Sequence, residues 1–512
     1  MSARRAGCCR GCRDHCLLGF GVRCSAFGVP QRLNNGSCDH AAVIAERRTI
    51  WLPASGCRQH AAPMSLLHFS GVAGQGMNPL AQLMAAWGHA VQGSDRSLDR
   101  GENAEIGGRL RAAGINLLPQ DGTAITPTVS RFIYSAAVEP DTPEARTARS
   151  LGITCTPRPA LLAEVVDAGG PGIAVAGTSG KSTVVGMLAW ILRRLEVPAT
   201  VLGGAALAGE GTAGCFAAGP QGGPVVAEAC ESDGTLVGYH PGVGVIHNIT
   251  RDHGEVEEVR GQFAVFARQS RILLVNAACP EALAVTDGLP RTLYGLSGPA
   301  TIAGEVIAAG PHRARGVVLI HDRTIDLELQ QPGVHNLENA VAAIAAAQAC
   351  GLDPVAAAAA LATFPGVSRR FEVVARTDEG LRVVDDYAHN GAKIAAAVAA
   401  AQAGSDRVVC LFQPHGFGPA RQLRPELKEL LPGLLRPSDA WLYLPIYFAG
   451  GSVTQDITSQ DLARDAGVDA VADRREALLW VAERTRPGDT VLIMGARDPG
   501  LGAFARALAD AL

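Results

Sequence analysis

Residues 172–183 read Gly-Ile-Ala-Val-Ala-Gly-Thr-Ser-Gly-Lys-Ser-Thr. A short apolar run enters a glycine-bearing turn, and Lys181 and Ser182 stand where an apolar-periodic helix opens. In such a turn backbone N–H groups and a helix N-terminus hold phosphate oxygens, a lysine offsets their charge, and a hydroxyl can reach Mg2+. Gly177, Thr178, Ser179, Gly180, Lys181, Ser182 and Thr183 are therefore the candidate phosphate cradle. The loop is shorter than the generic pattern, because Val175 occupies the position five before Gly180 where glycine is expected. Magnesium on a nucleotide takes hard oxygen ligands and seldom a full protein cage. Glu228, Glu231 and Asp233 follow one predicted strand, and Asp252 and His253 follow the next. Both groups fall at the carboxyl edge of an α/β sheet, where ligands collect.

The elements that position these residues divide into three segments. After the loop, Val184, Val185, Met187, Leu188, Ile191, Leu192 and Leu195 mark one face of a buried amphipathic helix. Residues 172–176, 225–227 and 243–247 read as strands of the same segment. Upstream, an apolar run from Leu66 meets Gly71, Gly74 and Gly76, and Met77, Leu80, Ala81, Leu83 and Met84 then recur at helical spacing. Strands are expected at 89–93, leading to Ser94 and Asp95, and at 131–135 and 152–154, with a helix around 161–167. Downstream, strands at 373–375, 382–385, 408–412, 441–444 and 490–494 alternate with helical stretches. The expected fold class is α/β in three domains. A Rossmann-like domain spans 64–168, a central P-loop ATPase-like domain with a parallel sheet spans 169–367, and a second Rossmann-like domain spans 368–512, with Pro365-Gly366 at the last joint.

The 512 residues carry a net charge of -4, are 47% apolar and 18% charged, and hold 60 Gly and 30 Pro against only 13 Phe, 5 Trp and 6 Tyr. That balance disfavours disorder throughout and a nucleic-acid surface, and suits an α/β enzyme with many tight loops. No apolar run reaches membrane-spanning length, so no membrane partner is expected. Seven of the 13 cysteines lie in the first 63 residues, where Cys9, Cys12, Cys16 and His15 could be read as zinc ligands. No second ligand pair follows at zinc-finger distance, and Leu17 to Val22 is too short for an export signal. Residues 1–63 are expected to be a disordered or over-extended start, the working chain opening at Met64. The six later cysteines are scattered in mostly apolar settings, as reduced core thiols of a cytoplasmic protein would be.

Six ordered segments resemble the Mur ligase family, the ATP-dependent amide-forming enzymes of peptidoglycan precursor synthesis. They are the loop Gly177–Ser182, Glu228-Ala229-Cys230-Glu231-Ser232-Asp233, Asn248-Ile249-Thr250-Arg251-Asp252-His253, His335-Asn336-Leu337-Glu338-Asn339-Ala340, Arg369-Arg370-Phe371-Glu372 and Asp385-Asp386-Tyr387-Ala388-His389-Asn390. Three further segments, His68 to Met77, Gly93-Ser94-Asp95 and Phe412-Gln413-Pro414-His415, are most similar to the branch that joins L-alanine to UDP-N-acetylmuramate. The resemblance implies ATP and Mg2+ as cofactors. It implies Gly71, Gly74, Gly76, Met77, Ser94 and Asp95 at the UDP sugar, Glu228 and His253 with Ser182 at Mg2+, and Asn336 and Asn339 at the adenine. Arg370, Asp386 and His389 would reach the nucleotide from the third domain, and Lys181, Glu228 and His253 would carry catalysis. Other members hold a second Mg2+ with a carboxylated lysine of the central domain. Residues 182–392 contain no lysine, which excludes that group here. After Pro-His the alanine-adding branch is arginine-rich at the acceptor, whereas this chain reads Gly416-Phe417-Gly418-Pro419-Ala420-Arg421, keeping only His415 and Arg421. Glycine and proline cannot replace a bidentate carboxylate clamp.

The expected reaction phosphorylates the carboxylate of UDP-N-acetylmuramate and lets an amine displace phosphate from the acyl phosphate, the amine being most readily that of L-alanine. The alternatives are addition of a preformed peptide in cell-wall recycling, favoured by the room at Gly416 and Pro419, and a non-catalytic nucleotide-binding module. A dinucleotide oxidoreductase is the remaining rival, but Gly71, Gly74 and Gly76 follow Gly-x-x-Gly-x-Gly rather than the dinucleotide order and leave the phosphate loop unexplained. A monomer or homodimer acting on small molecules is expected.

Overall fold

Runs of two to eight residues, most of them rich in Val, Ile and Leu, form three separate sheets, and helices between them bury their apolar stripes on the sheet faces. The computed structural model describes residues 65–512 apart from 75, 136–138, 140, 211–215, 232–233, 251–255, 449–452 and 499. The expectations for residues 1–63 and for a start at Met64 lie outside the described residues.

The first sheet holds β1 (Leu66–Ser70), β2 (Ala90–Ser94), β3 (Asn116–Leu117), β4 (Val129–Tyr134) and β5 (Thr154–Pro157) in the order β3-β2-β1-β4-β5, all parallel. The chain leaves β1 first to β2 on one side and later to β4 on the other. A crevice therefore opens at the carboxyl end of β1, where the glycine turn begins.

The second sheet has ten strands. Its strands are β6 (Gly172–Ala176), β7 (Thr200–Leu202), β8 (Phe216–Ala217), β9 (Val225–Ala229), β10 (Val243–Ile246), β11 (Ile272–Asn276), β12 (Thr292–Gly295), β13 (Ile302–Ala309), β14 (Ala314–Ile320) and β15 (Arg323–Leu329). The order is β15-β14-β13-β12-β11-β10-β6-β9-β7-β8. From β13 through β12, β11, β10, β6, β9 and β7 neighbouring strands run parallel, with β6 flanked by β9 and β10. The meander β13–β15 and the short β8 add antiparallel pairings that the sequence reading did not foresee. Along β15 buried and exposed residues alternate, the pattern of a sheet with one wet face. Its dry face meets the Ala-rich helix Val334–Ala349, whose small side chains let the helix lie close to the strands.

The third sheet holds β16 (Glu372–Arg376), β17 (Arg382–Asp386), β18 (Val408–Gln413), β19 (Ala440–Tyr443), β20 (Asp469–Ala470) and β21 (Thr490–Gly495), ordered β16-β17-β21-β18-β19-β20, with only β16 antiparallel. The late strand β21 thus slots between β17 and β18. At the joint to this lobe, Ser368 N donates to Ala206 O at 2.8 Å and Ser368 Oγ to Leu207 O at 3.1 Å, and Leu207 and Val367 form an isolated bridge. Among the described residues no helix is long and apolar enough to cross a membrane. The free thiols Cys279, Cys350 and Cys410 are buried as expected, whereas Cys155 is exposed on β5.

Strand β6 sits so close to the end of the helix Arg158–Asp167 that a Cβ on Gly172 would stand 1.9 Å from the carbonyl oxygen of Val166. Gly172→Ala is expected to lower unfolding free energy by about 1–3 kcal/mol. Gly108→Ala, in a helix with nothing within 4 Å of the new methyl, should raise it by about 0.5–1 kcal/mol. Denaturant unfolding of both variants checks this, and equal midpoints for Gly172→Ala and wild type would refute the close contact.

Candidate functional site

The loop between β6 and the helix Lys181–Arg194 is held by the strand next to it. Asn248, just past β10, accepts from Ser179 N through Oδ1 at 2.8 Å and returns a bond from Nδ2 to Ser179 O at 3.1 Å. Thr178 N donates to Asn248 O at 3.0 Å, and Thr250 N donates to Thr178 Oγ1 at 2.9 Å. Gly180 has φ +81°, and a Cβ there would meet Asn339 Oδ1 at 2.7 Å and His247 Cδ2 at 2.8 Å. Both the backbone sign and the contact require glycine at that position. The loop therefore presents its free N–H groups at the mouth of a helix, the arrangement that binds phosphate.

Lys181 Nζ donates to Glu231 Oε2 at 2.9 Å and also to Gly177 O. Burial works against its charge, but Glu231, with smaller help from Cys230 and Glu228, holds its pKa above the ordinary lysine value. The ammonium is thus kept charged beside the loop. Ser182 is buried at the helix start, and Glu228 Oε1 accepts from Gly204 N at 2.6 Å on neighbouring β9. Two hard oxygen donors beside a phosphate loop are the donor set Mg2+ takes when phosphates complete its shell. Among the described residues no three His, Cys, Asp or Glu side chains converge as a metal cage, and His253, Asp252 and Asp233 lie outside the described residues.

A cavity of about 680 Å³ lies between this loop and the third lobe. Ser179, Gly180, Ser182 and Thr183 line it from the loop, Asn336 and Asn339 from the helix after β15, and Arg370 and Asp386 from across the joint. Asn339 Nδ2 donates to Asn336 Oδ1 at 3.2 Å, so the two share one helix face as their spacing implied. Asp386 accepts from Phe371 N at 2.7 Å and Ala388 N at 2.8 Å, and burial pushes its pKa up. Arg370 lies over the ring of Tyr387, 5.3 Å from its centroid. Gly177, Thr178, Lys181 and His389 are not on the cavity wall; His389 Nδ1 donates to Tyr387 O at 2.8 Å and its ring meets that of His415 edge-on at 5.4 Å. Burial first, then the charges of His389 and Arg497, lower the His415 pKa to about 4. Arg421 is turned to Asp456 and to Thr454 O, the latter at 3.1 Å.

At the first sheet, Gly71 turns with φ +81° and donates its N–H to Ser94 O at 2.8 Å, and Ala73 N reaches Asp95 Oδ2 at 3.0 Å. Met77 opens the following helix, with its N–H on Gly74 O. A Cβ on Gly76 would come within 3.2 Å of the Arg158 side chain. Ser94 is fully buried and gives its hydroxyl to Glu144 at 2.5 Å, as Ser70 does, also at 2.5 Å, while His68 Nε2 lies 2.9 Å from the same carboxylate. Burial raises the Glu144 pKa, but bonds from His68, Ser70 and Ser94 outweigh it and hold the carboxyl below its usual range. The sequence reading missed Glu144, Asn248 and His247. Asn248 opens one of the family-like segments, but only the pairing of β6 with β10 reveals that it braces a loop about seventy residues away. Nothing local marked Glu144.

Three α/β lobes, with a phosphate loop on the second facing the third across a nucleotide-sized cavity, define an enzyme that works on a bound nucleoside triphosphate. Family models match along the chain: "Mur ligase family, catalytic domain" at 66–169, "Mur ligase middle domain" at 175–347 and "Mur ligase, glutamate ligase domain" at 369–497. A UDP-N-acetylmuramate--L-alanine ligase of Gloeobacter violaceus is 33% identical over 444 residues, 84% of this chain and 92% of that one. One of Streptomyces avermitilis is 34% identical over 459 residues, 84% of this chain and 94% of that one. The crystal structure of a UDP-N-acetylmuramate-alanine ligase from Thermotoga maritima superposes with TM-score 0.70 at 25% identity, covering 87% of this chain and 98% of that one. A murein peptide ligase from Psychrobacter arcticus shares the fold with TM-score 0.64 at 22% identity over 87% of this chain and 98% of that one. The chain belongs to the Mur ligase family and so to the ATP-dependent ligases.

Two outcomes follow from the site. Glu144→Leu leaves three buried donors without an acceptor and should cost about 2–4 kcal/mol in unfolding free energy; a loss below 1 kcal/mol would sink that account. His247, its pKa lowered to about 4 by burial, binds its proton more weakly folded than unfolded. Its contribution to stability is intact above about pH 6.5 and is lost as pH falls toward 4, on the order of 3 kcal/mol. His247→Gln should therefore lose less stability than wild type between pH 7 and 4.5, and parallel curves would contradict this.

Proposed function

We propose that this ligase joins an amino acid, L-alanine, to the carboxylate of UDP-N-acetylmuramate in peptidoglycan precursor synthesis, as the names of its relatives say of them. The observation that carries the reading is the cavity walled by the phosphate loop on one lobe and by Arg370 and Asp386 on another. ATP would lie there with its phosphates on the N–H groups at the start of the helix, from Gly180 to Thr183, and Asn336 and Asn339 would face its base. The UDP sugar would enter the crevice at the carboxyl end of β1, its diphosphate against the Gly71–Gly76 turn.

A substrate carboxylate oxygen attacks the γ-phosphorus in line, the bond to the bridging oxygen of ADP breaks, and an acyl phosphate forms. The amine of the acceptor then adds to the acyl carbon, and phosphate leaves with its electron pair as the amine loses its proton. Positioning and charge neutralisation do most of what a protein can do for phosphoryl transfer. Lys181, already held charged by Glu231, balances the charge that spreads over the transferring group. Mg2+, when bound, adds further neutralisation at the phosphates; Ser182, Glu228 and His253 are the residues that would hold it. The third lobe covers the cavity and keeps water from the acyl phosphate.

The room left by Gly416 and Pro419 favours a second acceptor class, a preformed peptide, since these two positions carry no long side chain. One assay serves both readings: phosphate release with UDP-N-acetylmuramate and a panel of amino acids and short peptides. Release should require both the sugar nucleotide and L-alanine, and Lys181→Met should lower kcat at least ~100-fold. Release that ignores the sugar nucleotide, or an unimpaired Lys181→Met, would overturn the reading, and release with peptides alone would shift the acceptor.

A further inference from the structure

Arg497 stands just past the carboxyl end of β21, and the register of the third sheet says what it stands beside. Gly495 pairs with Gln413 and Met494 with Asp386, so Arg497, His415 and His389 lie at one edge, each two or three residues beyond a paired position. Contacts join them. Arg497 N donates to Tyr387 Oη at 3.3 Å, the Tyr387 ring meets that of His389 at 5.6 Å, and His389 meets His415 at 5.4 Å.

The backbone at Arg497 is left-handed, with φ +64°. A side-chain-bearing residue keeps that conformation only when its surroundings over-determine it, and such positions concentrate at ligand sites. Here they do. Gly495 O accepts from Arg369 Nη2 at 2.7 Å, Asp498 is buried and paired with Arg474, and the Tyr387 hydroxyl holds the intervening N–H. The rigid frame sets out an exposed arginine.

Four other guanidinium groups near this edge are engaged, three in ion pairs and one on an aromatic ring. Arg421 is on Asp456, Arg369 on Asp385, Arg474 on Asp498, and Arg370 lies on Tyr387 facing the nucleotide cavity. Among the described residues no carboxylate pairs with Arg497, while its charge is felt at His415, the residue that precedes the arginine-poor segment. A free, planar, bidentate cation beside His415 is what an amino-acid carboxylate needs.

We propose that Arg497 holds the α-carboxylate of the amino-acid acceptor, the service that Gly416 and Pro419 cannot give. The assignment rests on the ligase reading above. It is tested by comparing L-alanine with L-alaninamide as acceptors for wild type, Arg497→Gly and Arg497→Lys. Wild type should prefer the free acid by about 10–100-fold in kcat/KM. Arg497→Gly should reduce that preference to less than about threefold through the acceptor KM, with KM for ATP and UDP-N-acetylmuramate within about twofold of wild type; Arg497→Lys should fall between. Glycine suits φ +64°, so Arg497→Gly should melt no lower than wild type, which separates a binding role from a structural one. An Arg497→Gly enzyme that keeps the full preference overturns this assignment alone. A wild-type protein inactive with every acceptor overturns the ligase reading and this assignment with it.

Discussion

The reciprocal pair between Asn248 and Ser179 is the interaction on which the nucleotide site depends. A glycine-bearing loop has many conformations of similar energy, and only one of them turns its N–H groups outward together. Binding the loop to the end of β10 at Ser179 and again at Thr178 removes the others before any phosphate arrives. The same strand end carries His247, packed against Gly180 and bonded to Tyr294 at 2.9 Å. Ladder bonds of the central sheet therefore fix the loop, and the loop fixes where a γ-phosphate would be.

Charge at the site follows the same economy of motion. Lys181 and Glu231 are both nearly buried and are paired. A lone buried ammonium would tend to lose its proton, and a lone carboxylate to gain one. Paired, the lysine stays cationic and in place, so little reorganisation is left for the moment when charge develops on a phosphoryl group. In the first lobe Glu144 does a comparable task for geometry rather than charge. It gathers His68 and Ser70 of β1 and Ser94 of β2, and so sets the spacing between the glycine turn and Asp95.

Much of this was legible in the chain. Strands 172–176 and 382–385, the loop before Lys181, and the pairing of Asn336 with Asn339 on one helix face were all visible because they are local, set by hydrophobic period and by spacing of three or four residues. The antiparallel meander β13–β15 was not, although β15 alternates cleanly, since whether it joins an existing sheet depends on which edge is free. Cys155 was grouped with the later cysteines as a core thiol because most of them have apolar settings, yet β5 is an edge strand and leaves it exposed. Arg421 read as an acceptor group by its place after His415. Its engagement with Asp456, thirty-five residues on, is a matter of how helix and loop pack.

The sequence by itself determined the class of chemistry and the order of the lobes. Residue type sets charge and hydrogen-bonding capacity, and short-range spacing sets which residues share a turn or a face. Only the tertiary structure decided which polar groups are already satisfied and which remain free. Ser94, Glu144, Arg421 and Arg497 all carry polar or charged side chains, and residue type alone does not rank them. Burial and long-range partners commit the first three and leave the guanidinium of the fourth without a partner among the described residues, because hydrogen bonds between sheet edges join positions that the chain keeps far apart.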